Sequence, residues 1–272
     1  MKLLPAAGVS LSAFVLFGLR PALPELHIAG LVLLAVSLVA AILIDRELGR
    51  DLSLIGLGVA IVSTTSVEAH VDWPSFIRIG TVLALAVAVP FLLDRFVLRL
   101  DGQSRRAITF PWRSHEKKTR AEIAYVFLVP LLGYLLLPFY FIRSGAYLNW
   151  PHITDLSELG RFFVGVNAVG TWDELFFICT CFALLRRHFP LWQANLLQMV
   201  IFVSFLWELG YREWGPLLTI PFALIQGWIF RRTTSLTYVV AVHLLFDLFV
   251  FMVLVHAHDP SMFDIFLTAP AP

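Results

Sequence analysis

The sequence predicts an all-α, polytopic transmembrane helix bundle of about eight or nine spans, and three observations carry that reading. Of its 272 residues, 59% are apolar or aromatic and only 14% are charged, whereas a soluble domain carries about 25% charged residues. Apolar stretches near the roughly 17 to 25 residues that cross hydrocarbon recur from end to end. Runs such as LHIAGLVLLAVSLVAAILI are apolar on every side, which argues against the alternating strands of a membrane barrel.

The predicted spans lie at 3–19, 27–45, 52–69, 76–97, 121–141, 159–184, 190–210, 215–230 and 235–256. The first follows Lys2 and has the look of a signal peptide, but no small-residue cleavage site stands near Arg20 and Pro21, so it reads as a retained helix. Its loss would leave eight spans without moving the rest. The span 215–230 is short, and the pair 190–230 has turn signals at Gly210 and Gly215. Spans one and two are almost purely Leu, Val, Ala and Ile. Glu68 and His70 end the third span, and Asp94 and Arg95 lie near the end of the fourth; all four read most simply as interfacial.

Residues 1–272 read as one integral membrane domain: N-terminal helices in 1–100, a basic cytoplasmic loop at 100–120, and C-terminal helices in 121–256. No polar connection is long enough to build a soluble core. The loop holds Arg105, Arg106, Arg113, Lys117, Lys118 and Arg120, and the pairs Arg186/Arg187 and Arg231/Arg232 occupy later connections. The positive-inside tendency puts all three groups, and the N-terminus, on the cytoplasmic side. The expected location is a bacterial inner (plasma) membrane. Topology alone accounts for the basic loop, so no nucleic-acid partner is expected.

Polar residues lie deep only in the second half: Asp173, Glu174, Gln198, Glu208, Gln226, His243 and Asp247. Ionisable groups in hydrocarbon cost several kcal/mol unless paired or wetted, so they mark a functional interior. Adjacent Asp173 and Glu174 differ by about 100° around a helix, so they face different neighbours. His243 and Asp247, four apart, share one face. Three helices, contributing Asp173/Glu174, Glu208 and His243/Asp247, are thus expected to converge on one polar pocket. A buried carboxylate there can take a proton from water, and an imidazole can shuttle it or steady an oxyanion. The same set can hold a divalent metal; spacing alone does not choose.

Cys179 and Cys181 read as buried small hydrophobes, and no organic cofactor is implied. Trp150, Trp172, Trp192, Tyr211 and Trp214 read as interfacial belt residues. His256 and His258 read as solvated loop residues.

The order of elements in 173–247 resembles the CAAX-protease and bacteriocin-processing (Abi) family of intramembrane glutamic peptidases. Its Glu-Glu-x-x-x-Arg motif matches Asp173, Glu174 and Phe177, with Ile178 in place of the arginine. Its His-x-x-x-Asn/Asp motif matches His243 and Asp247, after RRTTSLTYVVAVH. Its middle Phe-x-x-x-His motif is matched to SFLWEL, with Glu208 where the histidine would be. The resemblance implies that Glu174 activates water for attack on a peptide carbonyl, while the other two motifs stabilise the oxyanion. An ionised Glu208 offers no donor for that task; it would have to be protonated, act as the base, or mark a degenerate pocket. The implied substrate is a membrane-embedded peptide or lipidated protein tail within the bilayer. A non-catalytic scaffold, sorting or immunity protein of the same fold is the alternative, ahead of a transporter, which the lack of an internal repeat disfavours. Oligomeric state is not legible.

Overall fold

Each predicted span has a helical counterpart in the computed structural model, which describes residues 1–20, 22–97, 107–112 and 118–268. The first rod is α1 (Leu3–Ala13), continued by a π-helical turn at Phe14–Leu19. Then come α2 (Leu26–Ile44), α3 (Arg46–Val62), α4 (Trp73–Phe96) and α5 (Arg120–Ser144). The sixth rod is composite: α6 (Leu156–Asp173), a π-helical stretch Glu174–Phe182, and α7 (Ala183–Arg186). It is followed by α8 (Leu191–Leu209), α9 (Pro216–Thr233) and α10 (Leu236–His258). No strand occurs among the described residues. Five of these rods (α2, α4, α5, the composite rod and α10) are long and apolar enough to cross a membrane.

Local chemistry fixes where the helices start and stop. Asp45, Asp72, Asp155 and Ser235 each cap a helix by accepting the N–H three residues on, which satisfies an otherwise orphaned donor. Thr119 and Glu122 form a reciprocal capping box at α5. Gly145, at φ +74°, ends α5 in the left-handed conformation that suits glycine.

Side-chain ties clamp the two ends of the bundle. At the end that holds Lys2, Arg187 donates to both carboxylate oxygens of Asp51 at 2.9 and 2.8 Å, and His188 Nε2 lies 2.8 Å from it. Arg50 pairs with Asp94, whose other oxygen accepts the N–H groups of Ala107 and Ile108, both at 3.0 Å. Asp94 is therefore a buried structural acid and not an interfacial one. At the opposite end Arg20 donates to the carbonyls of Ser63 and Thr65 and to Glu208, while Arg212 pairs with Glu68 at 2.6 Å.

Several sequence expectations change. α10 runs through His258, so His256 is buried against the Met262 carbonyl at 3.1 Å and His258 packs edge-on to Tyr147. Trp150, Trp172 and Tyr211 are core residues, with Trp172 Nε1 donating to Leu83 O at 2.6 Å; only Trp192 of the group is largely exposed. Arg105, Arg106, Arg113 and Lys117 lie outside the described residues.

Candidate functional site

The composite rod changes register at Glu174, where the site begins. A π-helical turn holds one residue more than an α turn and clusters at functional positions. The bond from Thr180 Oγ1 to Leu175 O, 2.9 Å and five residues back, runs along that wider turn. Asp173 closes the α-helical part and Glu174 opens the wide part. The two acids consequently serve different surroundings.

Glu174 is fully buried. Its Oε1 lies 2.7 Å from His243 Nδ1 and accepts from Gln226 Nε2 at 2.6 Å. The other side of the imidazole faces two carboxylates. His243 Nε2 lies 3.8 Å from Asp173 Oδ2 and 3.7 Å from Asp247 Oδ1. Phe222 packs edge-on to the ring at 4.9 Å, and Phe202 lies at 6.4 Å, so its flanks are dry. Asp173 Oδ1, Glu174 Oε2, Asp247 Oδ2 and Gln226 Oε1 are buried with no protein partner.

Gly170 sets the approach of α6 to α10. A Cβ there would collide with Asp247 Oδ2 and come within 3.1 Å of Asp247 Cγ and 3.3 Å of His243 Cδ2. Only a residue without a side chain lets the His243/Asp247 face reach Asp173.

Asp173, His243 and Asp247 border a cavity of about 440 Å³, within the usual range for ligand pockets. Its walls come from α4 (Gly80, Leu83, Ala84), α6 (Gly165, Val169) and α8 (Leu206, Leu209). His70, Arg161 and Tyr211 border it at the Arg20 end. Glu174 is not among its lining residues; it stands behind the imidazole.

The structure thus brings Asp173, Glu174, His243 and Asp247 together and leaves Glu208 out. Glu208 is buried, but its partner is Arg20, and it does not border the cavity. The physical reason is helical phase. On α8, Phe202 lies beside His243 and Leu206 lines the cavity, and Glu208 lies two residues past Leu206, about 200° round the helix. Counted from Phe202, an aromatic-x-x-x-His spacing ends on Leu206. Gln226 and Gly170 were not singled out as site residues by sequence reasoning. Gln226 carried a signal, being a lone amide deep in an apolar helix. Gly170 carried none beyond being a glycine. Among the described residues no group of three or more His, Cys, Asp or Glu is arranged to hold a metal ion.

Residues 155–249 match the family described as Rce1-like, type II CAAX prenyl endopeptidase Rce1-like. The match runs from the cap of α6 into α10 and contains every residue of the cluster. Searches of curated proteins and of solved structures returned no match for the chain.

Proposed function

We propose that this chain, a member of the CAAX-protease family through residues 155–249, is an intramembrane peptidase that hydrolyses a membrane-associated or lipidated peptide tail. The observation that carries this reading is the pair of carboxylates beside His243 Nε2, at 3.8 and 3.7 Å, on the wall of a cavity. These gaps exceed a direct hydrogen bond and suit one water touching all three groups.

The chemistry follows from one assignment of the protons to these hydrogen bonds. An ionised Glu174 accepts the Nδ1–H of His243, which leaves the Nε2 lone pair turned to the cavity. Asp173 or Asp247 accepts the water's second O–H and so orients it. As its oxygen adds to the peptide carbonyl, its proton passes to Nε2; the imidazolium, flanked by three acids, then gives a proton to the leaving amine. Glu174 acts through His243 and not on the water, so the base role expected for it from the family pattern moves to the cavity side of the imidazole.

The test is hydrolysis of a lipidated reporter peptide by the purified full-length chain in lipid. His243→Ala and Asp173→Asn should each lower kcat/KM by about 10²- to 10⁴-fold, with folding checked by size-exclusion profile and thermal unfolding. Undiminished turnover in both well-folded variants would refute the assignment. A second reading, a non-catalytic scaffold of the same fold, has one observation in its favour: on α8, Phe202 beside the imidazole and Leu206 on the cavity wall are both apolar. It predicts no hydrolysis by the wild-type chain and site variants that alter only partner capture.

A further inference from the structure

The cavity has one polar end and one blind end. From the Asp173/His243/Asp247 floor its lining runs to His70, Trp150, Arg161 and Tyr211. All four belong to the end of the bundle where α3, α5 and α8 finish and α4 and α6 begin. Among the described residues, none from the connections at the Lys2 end lines the cavity. That end is closed by the Asp51–Arg187–His188 and Arg50–Asp94 ties and by the bond from Leu236 N to Pro111 O at 2.8 Å.

Cationic residues distribute the opposite way. Lys2, Arg50, Arg95, Arg120 and the pairs Arg186/Arg187 and Arg231/Arg232 occupy the closed end. The open end has Arg20, Arg78, Arg143, Arg161 and Arg212. Of these, Arg20 and Arg212 are neutralised by Glu208 and Glu68, and Arg161 is tied to the Val71 carbonyl at 2.5 Å. Short connections rich in Lys and Arg stay on the cytoplasmic side.

The cavity also has a side opening. Gly80 and Ala84 on α4, and Val164 and Ala168 on α6, line it and are exposed, so small residues flank a gap between these two helices. A Cβ on Gly80 would meet nothing within 4 Å. At about 1.5 Å per residue, Gly80 and Ala84 lie roughly 10 to 16 Å below the start of α4, at the depth of lipid chains in the leaflet next to the open end.

We infer that the substrate reaches the site from the non-cytoplasmic side, moving sideways between α4 and α6. It is therefore an exported peptide or the tail of a membrane-anchored protein whose cleavage sequence lies in or above the non-cytoplasmic leaflet, with apolar side chains or a lipid chain to fill the Gly80–Ala84 gap. The substrate class rests on the peptidase reading; the direction of access does not.

Access is tested by cysteine labelling of the full chain in intact cells with a charged, membrane-impermeant thiol reagent. The native Cys179 and Cys181 are buried and give no background. Ala69→Cys and His70→Cys at the mouth should be modified in intact cells, and Arg232→Cys only in inverted membrane vesicles. Two mouth positions guard against one misfolded variant. Labelling of Ala69→Cys only after inversion, or of Arg232→Cys in intact cells, overturns the inference. In parallel, a membrane-anchored reporter with its cleavage sequence on the non-cytoplasmic side should be cut, and the same sequence on the cytoplasmic side should not; the reverse overturns the substrate class. External labelling together with full cleavage by Asp173→Asn would uphold the access route and remove the peptidase site.

Discussion

Replacing Gly170 by alanine tests whether the site depends on contact between α6 and α10. The new methyl would overlap Asp247 Oδ2 and press on Asp247 Cγ at 3.1 Å and His243 Cδ2 at 3.3 Å. The imidazole cannot retreat freely, because it is held by Glu174 at 2.7 Å and flanked by Phe222, so Asp247, whose Oδ2 has no protein partner, must turn out of its place beside Nε2. Overpacking of this kind costs about 1 to 3 kcal/mol, while alanine regains about 0.8 to 1 kcal/mol over glycine in a helix interior. The net loss of stability is therefore small, about 0 to 2 kcal/mol. Catalysis should suffer more, because a shift near 1 Å in a catalytic group costs on the order of 10²-fold. The expected result is a folded Gly170→Ala protein with turnover of the lipidated reporter down about 10²-fold and a thermal midpoint a few degrees lower at most. Gly160→Ala is the control, since a Cβ at Gly160 meets nothing within 4 Å; its turnover should equal wild type. Wild-type turnover in Gly170→Ala would show that the distance between α6 and α10 does not govern the reaction.

Glu174→Gln preserves shape but removes the charge that fixes the imidazole tautomer; kcat should fall by about 10²-fold or more with KM little changed, and a KM effect alone would make Glu174 a substrate contact. Glu208→Ala strands a mostly buried Arg20, so thermal unfolding should show a loss of about 3 kcal/mol while kcat/KM per folded molecule stays at the wild-type level; lost turnover would return Glu208 to the site. At the Lys2 end, the hydrogen bond from Lys2 and the Leu48 N–H hold the Asp45 carboxyl down at about 2, from an ordinary 3.8. A lowered carboxylate stabilises the fold above its unfolded pKa and loses that contribution as pH falls through the folded one. Midpoints of the wild type and Asp45→Asn should therefore differ above about pH 4 and converge towards pH 2; a constant gap over that window would remove the carboxylate from the account.

Helix positions were legible because membrane helices carry their signal in composition: each of the nine apolar stretches has a helical counterpart among the described residues, and five of these are long and apolar enough to cross a membrane. The core of the candidate site was legible for a related reason, since Glu174, Asp173, His243 and Asp247 are costly at depth and must meet something. Which acid faces which side of His243 was not. That depends on the π-helical register from Glu174 onward, and nothing in ELFFICTCF distinguishes it from ordinary helix. Glu208 shows the complementary failure. Depth and polarity selected it together with the site acids, but a buried acid can equally be a structural partner, and its partner Arg20 lies 188 residues away in sequence. Local spacing carries no information about such a pairing.

Comparison of the buried acids separates structural from reactive ones on physical grounds. Both oxygens of Asp51 are engaged by Arg187, with His188 beside them, and both oxygens of Asp94 are engaged by Arg50 and two backbone N–H groups. Such saturation offsets the cost of burying a charge. In the cluster around His243, by contrast, Asp173, Glu174 and Asp247 each keep one buried oxygen without a protein donor. An unsatisfied buried acceptor costs about 1 to 3 kcal/mol, more for a charged group. Glu208, paired with Arg20, also keeps one such oxygen, but a sequence shaped only for stability would not keep three of them side by side when it saturates Asp51 and Asp94. The exception coincides with a cavity wall, a change of helical register and a glycine contact at Gly170. Together these features favour a preorganised reaction site over a tolerated packing defect.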